Sequence, residues 1–300
     1  MRLVTYLEND LPKLGAVNDD RVVDLARASS GRLPSTMIEF IEMGAQALDF
    51  ARELVYGSDN PASVPLESVK LLAPIPVPRR NVMCVGWNYA EHFEEGLNKR
   101  GPSDAEQMPE YPTFFTKLTT TVIGPGEGVQ FNRKISEQVD WEVELAVIIG
   151  RRGRNITQEE AMNYVFGYTI ANDVSTRDLQ RRHGGQWFRG KSLDTHCPMG
   201  PWIVTADEIE DPHNLRLSLK VNGVVKQDSS TKYMVFRIPR LIQELSLGST
   251  LLPGDIILTG TPPGVGFART PAEFLRPGDV MDLEIEKIGR LSNPVVEFND

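Results

Sequence analysis

The sequence predicts an α+β fold: strands in runs, with helices set apart from them rather than alternating with them. Two observations carry this expectation. Seven segments beyond residue 77 have strand composition, NVMCVG, TVIGPG, EVELAVIIG, GYTIAND, RLSLKVNGVVKQ, GDIILTG and VMDLEIEKIG, with few helical patterns between them. Ahead of them a proline-rich stretch, SDNPASVPLESVKLLAPIPVPRR, separates a short N-terminal portion from the rest.

From the start of the chain, LVTYLENDLPKLGAVNDDRVVDL alternates apolar residues around Asn18, Asp19 and Asp20, the pattern of short strands joined by a turn. Thr36 and Glu39 stand at capping-box spacing. Ile38, Ile41, Ala45, Leu48, Ala51 and Leu54 recur at helical spacing, which predicts one amphipathic helix from about 36 to 56. Prolines 61, 65, 74, 76 and 78 exclude long regular structure in the stretch that follows. The expected boundary is near Pro76, giving a small N-terminal domain, 1–76, and a larger domain, 77–300. In the second portion Thr157 with Glu160 predicts a helix through about Tyr164, IPRLIQELS predicts another, and Asn222-Gly223 marks a hairpin.

Composition excludes several classes of function. A net charge of -9, with no dense run of Lys and Arg, argues against a nucleic-acid partner. The start MRLVTYLEND lacks the basic and apolar regions of a signal peptide, and no apolar run is long enough to span a bilayer, so the expectation is a cytoplasmic protein without a membrane partner. Cys84 and Cys197 lie far apart in apolar contexts without metal-ligand spacing and read as buried, reduced thiols.

Four stretches could carry chemistry. In DWEVEL, Glu142 and Glu144 fall on one face of a strand, and Asp173 follows the apolar strand GYTIAN. Such a pair is either a solvated face or one side of a cation site; oxygen-only ligands would favour a hard ion, Mg2+ or Mn2+. In VGWNYAEHFEEG, His92 and Glu95 stand three apart, so that on a helical turn the carboxylate could orient the imidazole as a general base; a solvated surface turn has the same pattern. The segment after Asp173 could place Arg177, Gln180 and Lys191 around an anionic ligand, with Gly184, Gly185 and Gly190 permitting close backbone approach, or could be a basic surface loop. Its Trp187 and Phe188 argue for burial. The stretch GDIILTGTPPGVG offers Thr261 at the end of a strand but is neither a Walker motif nor GxGxxG. A GxSxG elbow is absent, and His183, His196 and His213 show no metal-ligand spacing.

Taken in order, VGWNYAEH, DWEVELAVIIG, GYTIANDVSTRDLQ, QWFRGKSLDTHCPMGPWIV, KVNGVVKQ and GDIILTGTPPGVG resemble the fumarylacetoacetate hydrolase family over about residues 78 to 290. The resemblance implies a mixed β-sheet roll and a homodimer. It implies a divalent metal on Glu142, Glu144 and Asp173, with His92 as general base and Glu95 as its partner on a short helix serving as a lid. Lys191 matches the residue that stabilises an oxyanion, and Arg177, Gln180 and Thr261 match positions near the substrate. A further acidic ligand found shortly before the histidine in the founding enzyme has no counterpart in CVGWNYAEH, which leaves that coordination position to water.

The function expected on this basis is metal-dependent hydrolysis of a carbon–carbon bond in a 2,4-diketo acid of the acylpyruvate or fumarylpyruvate type, as in aromatic catabolism, by a His–Glu-activated water. Oxaloacetate decarboxylation, and isomerisation or hydration of hydroxymuconate-type acids, are the alternatives on the same residues. The complete set of acids, His–Glu pair and Lys counts against a non-catalytic binding protein. The lid and substrate-reading segment is expected at GLNKRGPSDAEQMPEYP, residues 96 to 112.

Overall fold

The structure, a computed structural model, describes residues 1–57, 62–99 and 107–299. The fold is α+β, as expected, and rests on two sheets. The larger sheet runs in the order Ser63–Pro65, Arg21–Asp24, Leu11–Asn18, Arg2–Glu8, Cys197–Thr205, Val165–Asn172, Val143–Ile149, Ile256–Leu258, Val82–Gly86, Thr113–Lys117. Most neighbours along it are antiparallel; Ile256–Leu258 and Val82–Gly86 are parallel. A second sheet of five strands is ordered Val224–Ser230, Arg216–Val221, Val280–Ile285, Gly289–Glu297, Val129–Phe131.

Strand Val143–Ile149 is buried along its whole length, which explains why AVIIG is apolar on both faces. Val143, Leu145, Val147 and Ile149 enter a core shared with Leu217, Leu219 and Leu283 of the second sheet. Ala146 and Ile148 point the other way, into a core with Phe40, Ile41 and Ile203. Glu142 and Glu144 share the parity of this second face but lie at its open end, and so reach a cleft rather than an apolar layer.

The N-terminal portion extends the larger sheet through its strands Arg2–Glu8, Leu11–Asn18, Arg21–Asp24 and Ser63–Pro65. Arg2–Glu8 pairs with Cys197–Thr205, Arg2 opposite Val204, and Leu3, Phe40 and Ile41 share an apolar cluster with Ile148 and Ile256. The helix expected from 36 to 56 is two helices, Met37–Met43 and Ala45–Tyr56, broken at Gly44 with φ +72°. Glycine enters that left-handed region at little cost, and the apolar periodicity continues across the break because both helices pack on the same cluster. The Thr36 hydroxyl donates to the Glu39 carboxylate at 2.6 Å instead of capping a backbone N–H.

Thr157 does cap its helix, accepting the Glu160 N–H at 3.3 Å, and Gln158–Ala161 continues as a 3-10 turn to Tyr164. IPRLIQELS forms the helix Ile238–Ser246, with proline in its first turn. Asn222 (φ +51°) and Gly223 (φ +77°) make the two-residue hairpin turn between Val221 and Val224. Both cysteines are buried free thiols, and burial pushes Cys197 up to about 12. No described helix is long and apolar enough to cross a membrane.

Candidate active site

One oxygen each from Glu142, Glu144 and Asp173 lies within 4.8 Å of the others, and all three residues are buried. The sheet brings them together. Val143 pairs with Asn172, so the acids preceding and following that pair stand at the same edge, and the Asp173 N–H donates to the Glu142 carbonyl at 2.9 Å.

Four carboxylates and three cations are packed here out of water. Lys191 Nζ donates to Glu142 at 2.8 Å and Asp173 at 2.7 Å, and the fully buried Lys117 Nζ donates to the other Asp173 oxygen at 2.7 Å. Arg177 sits 2.7 Å from Glu142 and donates through Nε to Asp140 at 2.8 Å. Burial alone would raise the Glu142 carboxyl, but the charges of Lys191 and Arg177 prevail and hold it well below the usual range. Burial, reinforced by the Asp173 and Glu142 charges, instead pushes Glu144 well up. Among the described residues Glu144 has no ion-pair partner; the Gly260 N–H donates to it at 2.6 Å. A buried carboxylate without its own cation, beside two others, suits a hard cation bound by oxygen.

The His92–Glu95 pair approaches the same cleft from the helix Ala90–Glu95. His92 Nδ1 lies 2.8 Å from Glu95 Oε1, and Glu95 Oε2 accepts the Gly264 N–H at 2.8 Å. With Nδ1 engaged, Nε2 is the nitrogen left for a substrate, and His92 lines the cleft with Glu142, Glu144 and Lys191. Arg177, Gln180 and Thr261 line it too, whereas Asp173 and Glu95 are not among its lining residues. Gln180 accepts from Arg177 Nη1 at 3.1 Å, which leaves its amide nitrogen as a donor. The Thr261 hydroxyl donates to the Val143 carbonyl at 3.0 Å and accepts from Gln227 at 2.8 Å, so its hydrogen-bonding capacity is largely used in holding the strand end.

The basic segment is not a surface loop. It forms two short helices, Arg177–Arg182 and Phe188–Lys191, that meet at Gly190, where a Cβ would lie 2.3 Å from the Gln180 backbone nitrogen. Trp187 is buried against Trp87 and Phe115 in an aromatic wall, whereas Phe188 is exposed at the surface. Of the expected lid, Leu97–Lys99 is a 3-10 turn; residues 100 to 106 lie outside those described.

Sequence reasoning missed Lys117, Asp140, Arg181, which lines the cleft, and the Trp87 and Phe115 that pack with Trp187. Lys117 carries a faint signal, a lysine closing the half-apolar strand TFFTK, and Asp140 stands two residues before Glu142.

Comparisons with known proteins bear on this geometry. The family model described as fumarylacetoacetate (FAA) hydrolase C-terminal matches residues 81–296. A mitochondrial oxaloacetate tautomerase of Xenopus laevis is 43% identical over 99% of this chain and 90% of its own length. Oxaloacetate tautomerase YisK of Bacillus subtilis is 44% identical, over 93% of this chain and 94% of its own. A structure of maleylpyruvate hydrolase from Sphingobium sp. SYK-6 with manganese(II) and pyruvate superposes with a TM-score of 0.79, at 32% identity and full coverage of both chains. These findings correct the expected function. Relatives at 43% and 44% identity carry the name oxaloacetate tautomerase, so diketo-acid hydrolysis gives way to chemistry nearer the oxaloacetate-type alternative. The physical reason is that a His–Glu pair beside a cation site serves proton transfer at carbon as readily as it activates water.

Proposed function

This chain belongs to the fumarylacetoacetate hydrolase family, and we propose that within it the protein is a keto–enol tautomerase of oxaloacetate or a close dicarboxylic 2-oxo acid. Mg2+ or Mn2+ would be held by Glu142, Glu144 and Asp173. When bound, such an ion supplies Lewis-acid polarisation that favours the enolate character of a 2-oxo acid. The observation that carries the proposal is that the oriented His92 lines one cleft with Glu142 and Glu144, whose oxygens lie within 4.8 Å of one from Asp173.

The protein's own groups provide the proton transfer. In the enolising direction His92 Nε2 takes a proton from C3 and the C2 oxygen takes one from solvent; in ketonisation the protonated His92 gives its proton to C3 while the enol O–H releases its own to solvent. Glu95 fixes the tautomer that leaves Nε2 basic and stabilises the imidazolium formed when it is protonated. Lys191 adds positive charge where the C2 oxygen becomes negative, and burial strengthens that interaction. Arg177 and the free amide nitrogen of Gln180 orient a substrate carboxylate, with Thr261 shaping the floor. Tautomerisation needs no water nucleophile, and Trp87, Trp187 and Phe115 give the cleft one apolar wall. A homodimer, with 1–76 as a small N-terminal domain beside 77–300, completes the proposal.

The test is ketonisation of freshly dissolved enol-oxaloacetate, followed by loss of enol absorbance, with Mg2+ or Mn2+ present. Acceleration that EDTA removes and His92→Ala abolishes is expected. A rate no faster than buffer containing the same metal would sink the proposal.

A further inference from the structure

Asp140 lies fully buried behind the cleft and is not one of the residues lining it. Four N–H groups converge on its carboxylate. Oδ1 accepts from Trp141 at 2.8 Å and Gly266 at 2.7 Å; Oδ2 accepts from Phe267 at 3.0 Å and from Arg177 Nε at 2.8 Å. Three donors are backbone amides and the fourth is the guanidinium that also pairs with Glu142. Few buried side chains offer four acceptor positions, and an ionised carboxylate does so with no donor of its own.

The same loop, Gly264–Phe267, meets the acid–base pair at its other end. The Gly264 N–H donates to Glu95 Oε2 at 2.8 Å, and the Gly264 carbonyl accepts the Trp141 indole N–H at 3.2 Å. Just beyond, Lys99 donates to the carbonyls of Ala268, at 3.0 Å, and Arg269. The loop has no slack: a Cβ on Gly266 would lie 2.1 Å from the Glu273 carbonyl and 2.7 Å from Asp140. The Phe267 ring lies under the Arg177 guanidinium, 4.5 Å from centroid to Cζ. Each contact holds the loop where it can hold Glu95.

We propose that Asp140 is a positioning residue that couples Arg177 to the His92–Glu95 pair through the loop Gly264–Phe267. Its carboxylate sets the Arg177 guanidinium against Glu142 and, by clamping the Gly266 and Phe267 amides, presents the Gly264 N–H to Glu95. The orientation of His92 depends on a residue that touches neither the imidazole nor the cleft. Because all four partners are donors, asparagine is a sharp probe: its amide nitrogen must face at least one N–H group, breaking the clamp with almost no change of volume.

The activity arm rests on the tautomerase proposal. Asp140→Asn should lower kcat about 30-fold and raise KM less than about fivefold, and adding Glu95→Gln should lower kcat no more than about twofold beyond the larger single effect, because both variants break one connection. Two effects that multiply, or a kcat within about twofold of wild type, overturn the coupling. The second arm needs no turnover. In Asp140→Asn the Gly264 amide, whose acceptor is Glu95 rather than Asp140, should exchange with deuterium about tenfold faster, together with Gly266 and Phe267. Unchanged protection at Gly264 refutes the coupling. If Asp140→Asn does not fold, Glu95→Gln reads the connection in reverse, through faster exchange at Gly266 and Phe267; no change there refutes it. If the wild-type protein shows no tautomerase turnover, the function proposal falls and the exchange arm alone decides this one.

Discussion

His92 Nδ1 stands 2.8 Å from one oxygen of Glu95, while the other oxygen of that carboxylate accepts the Gly264 N–H at the same distance. The carboxylate is thus pinned from both sides, and the imidazole presents Nε2 without rotational freedom. For a group proposed to take and return a proton at one carbon, this constrains both the tautomer and the orientation.

Replacing the pair should therefore separate two effects. His92→Ala should lower the tautomerase rate about 10²- to 10⁴-fold, the range of general base catalysis, and Glu95→Gln by less, since the imidazole remains. Neither should abolish Mn2+ binding, because the triad is intact. Enol decay and Mn2+ titration on the same samples check this; a His92→Ala protein with full rate would remove His92 from the chemistry.

The triad makes a prediction about stability. Saturating Mn2+ at one hundred times its dissociation constant should stabilise the fold by about 2.7 kcal/mol, read as a rise in Tm that EDTA reverses. Glu144→Gln should eliminate most of that rise. Its effect on the chelated protein should stay within about 1 kcal/mol, because the amide keeps the shape and relieves a like-charge cluster. A metal-dependent rise that survives in Glu144→Gln would place the ion elsewhere.

His196 makes a pH prediction away from the cleft. It is buried, its Nε2 donates to the Gln130 carbonyl at 3.0 Å, and burial pushes it from 6.5 down to about 4. Between those values the unfolded chain binds a proton that the folded chain refuses. Stability is therefore complete above about pH 6.5 and declines as pH falls toward 4, by up to about 3 kcal/mol from this group. Urea unfolding across that range should show the decline, and His196→Gln should flatten it; an equal slope in the variant would assign the effect to other groups.

Gly190 tests how tightly the two short helices must approach. A Cβ there would lie 2.3 Å from the Gln180 nitrogen and 2.5 Å from its Cα, and backbone atoms cannot swing aside. Gly190→Ala should cost about 1–3 kcal/mol in urea unfolding and lower activity by displacing Gln180 and Lys191 together. Activity retained at wild-type level would show that the helices can part without disturbing the cleft.

By itself the sequence determined the elements and the chemistry on offer. Strand alternation put Glu142 and Glu144 on one face, the three-residue spacing matched His92 to Glu95, and Asn222-Gly223 specified a hairpin, because each signal is local. The apolar periodicity from 36 to 56 was visible too, but not the break at Gly44, since one face can stay apolar through a glycine turn. Tertiary structure decided everything that needed distant segments to meet. The pairing of Val143 with Asn172 brought Asp173 to the two glutamates, and chain crossings brought in Lys117 and Lys191, fixing which carboxylates are paired and which is left for a cation. Charge balance at a buried point depends on distances in space that residue order does not encode, so a wet strand and a buried carboxylate triad shared one pattern until the sheet was closed.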